Sequence, residues 1–332
     1  MVLIREVNIR EFRGIRETRE PVRLSKFNVL IGRNNSGKSA ILEALSFFPI
    51  PFREYSTPFV GVSRLEFISK LHGGYDSLIY GYSGISEIKF MLDNAEVIYR
   101  ITDKGNVFAT INGEELGSED YVRKIASIFG FKTDKGYVEK LSSLVAFIPN
   151  DTQFIRSLSG SIISAWNFIM KSGANVRIVR DLVSKVVHDR FTELFLGAER
   201  TLMLRKELPD DKIFWIKVID IGDGIERALI TALYLEALQP KLVLWDDFEA
   251  SAHPGLIEVL IEWLASKDWQ VVISTHSIDV LDRITKIDPE GTSILALKND
   301  EYDRLSVRLW SVDELSDAFE RNVDIRSLLD LI

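Results

Sequence analysis

The spacing of apolar and polar positions changes several times along the chain, and each change predicts a different element. "VLIREVNIREF" sets Val2, Ile4, Val7 and Ile9 at roughly alternating positions, as an edge or half-buried strand would. "KFNVLIG" is a short apolar strand that stops at Gly32. "KSAILEALSFF" then places Ile41, Leu45 and Phe48 at i, i+4 and i+7, which predicts a helix buried on one face. Residues 49–85 mix Pro, Gly, Tyr and Ser without a clear period. From 86 to 116 come three short strands, "SEIKFML", "EVIYRIT" and "NVFATI", with turn chemistry at Asp93-Asn94, Lys104-Gly105 and Asn112-Gly113. That is the pattern of an antiparallel meander. "LVAFIP", Leu144 to Pro149, reads as another buried strand, and residues 151–206 read as helices. "FWIKVIDIGDG" is a strand running into a glycine-rich corner, and "IERALITALYLEAL" is a strongly apolar helix. "KLVLWDD" and "QVVIST" are continuous apolar runs of the kind found inside parallel sheets. A hairpin around "KNDEYD" and a helix near 312–320 follow. The expected fold is α/β: a mostly parallel sheet, an antiparallel β meander on one side, and an inserted helical lobe.

The loop after the second of these strands, Gly32-Arg33-Asn34-Asn35-Ser36-Gly37-Lys38-Ser39-Ala40, is Gly-x4-Gly-Lys-Ser. Glycines let a backbone wrap a phosphate with N–H groups, and the following helix turns its positive end toward the anion. In that setting Lys38 reaches the β- and γ-phosphates, and the Ser39 hydroxyl binds Mg²⁺. Such a loop needs an acidic strand end beside it. "KLVLWDD" supplies Asp246 as a Mg²⁺ ligand and Asp247 as the group that orients an attacking water, with Glu249 close by as a further acid or a surface charge. The chain has four histidines. His276 follows "QVVIST", which puts it at the same sheet edge as Asp246, placed to sense a γ-phosphate. His253 precedes Pro254 and suits either a helix cap or a subunit contact. His72 and His188 lie where no site is expected.

Composition narrows the rest. The 332 residues suffice for one or two domains, and 46% hydrophobic with 27% charged residues is an ordinary globular balance. A formal net charge of -8 argues against a surface coated for nucleic acid and leaves only a local basic groove. The absence of cysteine excludes disulfides, zinc-thiolate sites and a thiol nucleophile. The charged N-terminal stretch does not read as a signal peptide, and no run of 18 apolar residues predicts a membrane span. The expectation is a cytoplasmic protein without membrane contact.

The opening "IREVNIREFRGIRE", then "NVLIGRNNSGKSAILEAL", resembles the start of the RecF and SMC class of ABC-type ATPases. "GDGIERALITALYLEAL", "LVLWDDFEASAHP" and "VVISTHSIDVLDRI" resemble, in order, that class's signature helix, Walker B strand and switch-histidine segment. The spelling "DDFEASAHP" is most similar to the stand-alone relatives of the overcoming-lysogenization-defect (OLD) ATPases. The resemblance covers residues 1–48 and about 215–332. It implies a P-loop NTPase fold, a bilobed ABC-type head: an N-terminal lobe over 1–116, an inserted helical lobe over 117–214 and a C-terminal lobe over 215–332. It also implies a homodimer that sandwiches two ATP molecules with Mg²⁺. Gly222, Asp223 and Gly224 then fill the signature loop, where the class commonly has Ser-Gly-Gly, so that backbone N–H groups alone meet the γ-phosphate. The glutamine-loop position falls to Asn150 or Gln153, both of which qualify. Arg13 and Arg33 lie either near the nucleotide or on a solvated face.

No heptad run between 113 and 215 suggests coiled-coil arms, and no acidic cluster beyond these motifs resembles a nuclease, so an ATPase head alone is expected. The function implied is Mg²⁺-dependent ATP binding and hydrolysis that switches a dimer between open and closed states, in DNA maintenance, repair or anti-phage defence. The rival is a weakly hydrolysing ATP-binding module acting on a partner nuclease or toxin, which Asp247 in place of the usual Glu keeps open. A transporter subunit fits the "REFRGI" opening poorly, and a GTPase lacks its Asn-Lys-x-Asp stretch. Six arginines between positions 5 and 23 are interleaved with Glu6, Glu11, Glu17 and Glu20, a solvated strand face more than a DNA patch.

Overall fold

The computed structural model describes residues 2–53, 61–186, 190–250 and 252–321; His188 lies outside them. The first described strands are β1 (Glu6–Phe12), β2 (Ile15–Thr18), β3 (Val22–Arg23) and β4 (Phe27–Gly32), followed by helices α1 (Lys38–Ser46) and α2 (Arg64–Leu71). The meander is β5 (Ile85–Met91), β6 (Glu96–Thr102), β7 (Val107–Ile111) and β8 (Glu114–Leu116). Next come α3 (Ser118–Ile128), α4 (Tyr137–Ser142) and β9 (Val145–Ile148). A helical stretch holds α5 (Thr152–Ser164), α6 (Trp166–Ser172), α7 (Ala174–Ile178), a π-turn and α8 (Ser184–Val186). It leads to strands β10 (Phe191–Leu196), β11 (Leu202–Glu207) and β12 (Ile213–Lys217). The final part is α9 (Asp223–Leu238), β13 (Leu242–Trp245), α10 (Pro254–Ala265), β14 (Gln270–Ser274), α11 (Ile278–Ile287), β15 (Thr292–Asn299), β16 (Arg304–Trp310) and α12 (Val312–Glu320).

One large sheet runs β8-β7-β6-β5-β1-β2-β16-β15-β4-β14-β13-β9. Its far half, β15 to β9, is parallel throughout, and its near half is the antiparallel meander joined through β1 and β2. The parallel strands are largely apolar because both their faces are covered. Alternate residues serve two cores: Val243 and Trp245 point to one, Leu242 and Leu244 to the other. The first core takes α5 to α7 and α9 to α12; the second takes α1 to α4 and the meander. Like Asn28 and Ser274, Gln270 is a buried polar residue in this half. Fully buried, its amide accepts from the N–H groups of Leu3 and Ile4 and donates to the carbonyls of Ile4 and Ser25. Every hydrogen-bonding group of that side chain is used, so β14 and the N-terminal strand are tied together.

Three sequence expectations change. β1 alternates in burial, but it is no edge: it pairs with β2, β3 and β5. The α1 helix is buried on nearly all sides, because it packs against the sheet within the second core, and it ends at Ser46, before Phe48, because Pro49 disfavours helical backbone at the residue preceding it. The stretch 151–206 is helical only as far as Val186; Phe191–Leu196 and Leu202–Glu207 are strands of a separate three-stranded sheet, β10-β11-β12. Within the span 117–214, α3 and α4 pack on the α1 side, β9 is a sheet strand that faces both cores, and only from α5 onward does the chain cover the opposite face. No described helix is long and apolar enough to cross a membrane.

Candidate nucleotide site

Parallel registry brings the chemistry to one edge. Trp245 pairs with Ile273 and Ile148, Ser274 pairs with Leu30, and Leu297 pairs with Gly32. The residues just beyond these ends are the phosphate loop, Asp246-Asp247, Thr275-His276 and Asn150. Ligands of open α/β sheets bind at this carboxyl edge.

The loop geometry follows from two glycines. At Gly32 an added Cβ would collide with the Ser36 side chain and come within 2.8 Å of the Leu297 carbonyl. Gly37, at φ 92°, is the left-handed N-cap of α1. No side chain caps that helix, so the N–H groups of its first turn are left for an anion. Lys38 is buried, and its Nζ donates to the carbonyls of Gly32 (2.9 Å) and Arg33 (3.0 Å). Burial pulls its pKa down, opposed by the charges of Asp247, Asp246 and Glu249. The Ser36 hydroxyl is buried without a partner. A cleft of about 320 Å³ is lined by Asn34, Asn35, Ser36, Gly37, Lys38, Ser39 and Ala40, and it also reaches Arg13, Asp247 and His276.

Asp246 is buried at the end of β13. Burial raises its pKa, while hydrogen bonds from Ser274 and Ser39 pull it back. Ser274 was not foreseen. Its hydroxyl donates to Asp246 Oδ1 (2.6 Å) and accepts from the Asp247 N–H (2.8 Å), fixing both acids at once. Asp247 sits at φ 44°, a left-handed conformation that Asp tolerates because its short side chain bonds locally. Asn150 Nδ2 donates to Asp247 Oδ2 (2.7 Å), and His276 Nε2 stands 3.7 Å from Oδ1. Glu249 accepts from the His276 N–H (2.7 Å), so its carboxylate shapes the loop that follows β14.

Of the two glutamine-loop candidates, Asn150 reaches Asp247, whereas Gln153 lies exposed in the first turn of α5. Arg13 lines the cleft and pairs with Glu43 of α1 and with His72, a residue for which no role was expected. Arg33 borders a neighbouring cleft formed with the β15–β16 turn. His253 is the N-cap of α10, its Nδ1 accepting from the Gly255 N–H at 3.3 Å. Gly222, at φ 101°, caps α9. Gly222, Asp223 and Gly224 line a different cleft, of about 570 Å³, with His253 and Lys185; no phosphate-loop residue lines it. Ser274 and His72 carried no local signal, since each meets its partner only through the fold.

A hydroxyl and one carboxylate, Ser39 and Asp246, meet at the strand edge, and among the described residues no group of three or more His, Asp or Glu side chains is arranged to hold a metal ion by itself. That donor set fits Mg²⁺, which keeps several waters and binds through one or two protein groups and the substrate's phosphates.

A phosphate loop at the carboxyl edge of a parallel sheet, continuous with an antiparallel meander, defines a P-loop ATPase head of the ABC type. The chain belongs to the family described as "AAA domain, putative AbiEii toxin, Type IV TA system", whose model matches residues 92–282. A second model, an AAA ATPase domain, matches residues 3–53. Among solved structures, an SMC head bound to the C-terminal winged-helix domain of ScpA has a TM-score of 0.62 at 15% identity, covering 95% of this chain and 100% of that one. The SMC head of Thermotoga maritima has a TM-score of 0.53 at 14% identity, covering 93% and 100%. Identities this low speak for the fold alone. An uncharacterized protein of Methanocaldococcus jannaschii is 33% identical over 66 residues, 19% of this chain; the chain spans 58% of that relative's length.

Proposed function

We propose that the chain binds and hydrolyses ATP with Mg²⁺ and that ATP closes two copies into a dimer. The observation that carries this reading is the split between the clefts. The phosphate loop, Asp247 and His276 line one, and Gly222 to Gly224 line another. A signature loop that cannot reach its own phosphate loop acts only on a second copy's nucleotide, which requires a two-fold, self-complementary contact. In this reading Lys38 and the first-turn N–H groups of α1 hold the β- and γ-phosphates. Ser39 and Asp246 hold Mg²⁺, which would neutralise charge on the phosphates. Asp247 orients the attacking water, and His276 senses the γ-phosphate. The Gly222–Gly224 turn contributes backbone N–H groups to the partner's site.

The setting we favour is DNA maintenance or anti-phage defence. The family's description as a putative toxin of a toxin–antitoxin system supports defence, and the OLD-like spelling of residues 246–254 points the same way. Direct DNA contact has little charge to work with. Arg5, Arg13, Arg19 and Arg23 are paired with Asp93, Glu43, Asp300 and Glu6. A second reading, a slow ATP-binding regulator of a partner nuclease or toxin, is favoured by Asp247 itself: it is one methylene shorter than Glu and already held by Asn150.

Light scattering after size exclusion tests the dimer, with no nucleotide, with ADP, and with a non-hydrolysable ATP analogue. A dimer only with the ATP analogue is expected, because the γ-phosphate is the group both copies would share. A monomer in all three conditions refutes the proposal.

A further inference from the structure

The water-orienting acid is wired to the signature helix of its own chain. Arg227 lies in the first turns of α9, five residues beyond Gly222. Its Nη2 donates to Asn150 Oδ1 (3.3 Å), and Asn150 Nδ2 donates to Asp247 Oδ2 (2.7 Å). The order of this chain is dictated by chemistry. A guanidinium only donates and an ionised carboxylate only accepts, so the link between them must do both, and a side-chain amide does. The same requirement fixes which way the Asn150 amide faces.

Arg227 is held for this purpose at some cost. It is half-buried, burial lowers its pKa, and Asp151 and Asp247 offset that. Asp151, which caps α5, stands next to Asn150 in the chain, so the loop between β9 and α5 that carries the amide and the helix that carries the guanidinium meet here. Between α5 and α9 lies a cleft of about 500 Å³, lined by Thr152, Arg156, Asp223, Glu226 and Arg227 among others. The cleft leaves the first turns of α9 open on one side, and a displacement of those turns would pull on Asn150 directly.

We infer that Arg227 and Asn150 are positioning residues that couple the Gly222–Gly224 turn of a protomer to Asp247 of the same protomer. When that turn engages a second copy's nucleotide, α9 is held in place, Arg227 keeps Asn150 oriented, and Asn150 aims Asp247. Each active site thus depends on whether its own chain's signature is occupied across the dimer, which makes the two hydrolytic events conditional on each other. The inference rests on the proposed role of Asp247 and extends it.

The test is a cycle of variants assayed for ATP turnover and ATP affinity: wild type, Arg227→Ala, Asp247→Asn and the double variant, with Arg227→Lys as a conservative control. Misaiming a group that orients a reactant costs about 10- to 100-fold in rate. Arg227→Ala should lower kcat by about 10-fold with KM and ATP affinity unchanged, and Arg227→Lys should recover part of the loss because it still donates to Asn150. In the Asp247→Asn background, Arg227→Ala should have no further effect, since there is no acid left to aim. Thermal melting establishes that each variant is folded. Full turnover in Arg227→Ala, or an equal loss in both backgrounds, overturns the coupling while leaving the role of Asp247 standing. A wild-type chain without turnover, or full activity in Asp247→Asn, removes the role of Asp247 and the coupling with it.

Discussion

Ser274→Ala is the most informative single change, because one hydroxyl serves both acids. The Ser274 side chain is fully buried; it donates to Asp246 Oδ1 and accepts from the Asp247 N–H. Alanine keeps the backbone and nearly the same volume, so no cavity term enters. What is lost is a hydrogen bond to a charged group, worth about 1.5–3 kcal/mol, and an accepted N–H, whose loss costs about 1–3 kcal/mol if it is left unpaired. The two share an atom and do not add fully, which gives a loss of about 2–4 kcal/mol of unfolding free energy. The bond from Ser274 also lowers the Asp246 pKa, so its removal leaves burial to raise that pKa further. A positioned carboxylate that loses its supporting bond also loses metal affinity, by about 10- to 100-fold in comparable sites. Urea unfolding at neutral pH measures the first effect, read as a shift in midpoint at constant slope. Titration of Mg²⁺ against ATP binding measures the second. A loss under about 0.5 kcal/mol, the range of an ordinary surface substitution, together with an unchanged Mg²⁺ requirement, would refute the idea that Ser274 organises the acidic strand end.

Two further outcomes follow from the same edge of the sheet. Lys38→Ala should abolish ATP binding in calorimetry, because Lys38 Nζ is the buried cation at the centre of the phosphate loop; unchanged affinity would detach the loop from nucleotide. Asp246→Asn should raise the melting temperature without nucleotide at neutral pH. The folded pKa of Asp246 is raised above its ordinary 3.8, so the folded state binds the proton more tightly than the unfolded state. Stability from that group is complete below the unfolded pKa and is lost as pH rises through the folded value. The variant should therefore gain over wild type on the neutral side of that window and converge with it near the ordinary carboxylate pKa. Equal melting temperatures across the range would mean that the carboxylate carries no burial cost.

Some of this was legible in sequence because the chemistry is local. A phosphate loop needs its glycines, lysine and serine within eight consecutive residues, and Gly32 to Ser39 state them outright. Parallel strands covered on both faces need unbroken apolar runs, so "KLVLWDD" and "QVVIST" announced their place, and with it the positions of Asp246 and His276. In the second sheet only β12 was foreseen, from the run "FWIKVIDIGDG"; β10 and β11 fell in a stretch that reads as helical. β12 itself shows no apolar-in, polar-out alternation, since Ile213, Phe214 and Trp215 are all exposed, and it was legible only as a short apolar run. The groups that tune the site were hidden for a different reason. Ser274 meets Asp246 across a parallel pair, Arg13 meets Glu43 and His72 across three elements, and Arg227 meets Asn150 from a helix 77 residues away.

The same division bears on how the head would work. Residues that touch phosphate must sit on one loop, because the ligand is small and fixes their spacing. Residues that report on a second copy must sit elsewhere, because the signal has to arrive from α9 and end at β13. A hydrogen-bonded amide between them is a short way to join two separate elements, since it transmits direction through two bonds and requires no shared backbone. Replacing Asn150 by Asp keeps the size but turns the donor toward Asp247 into an acceptor, placing two carboxylates face to face. The link would then repel where it should hold, and the guanidinium of Arg227 would be left to neutralise an acid it had only to orient.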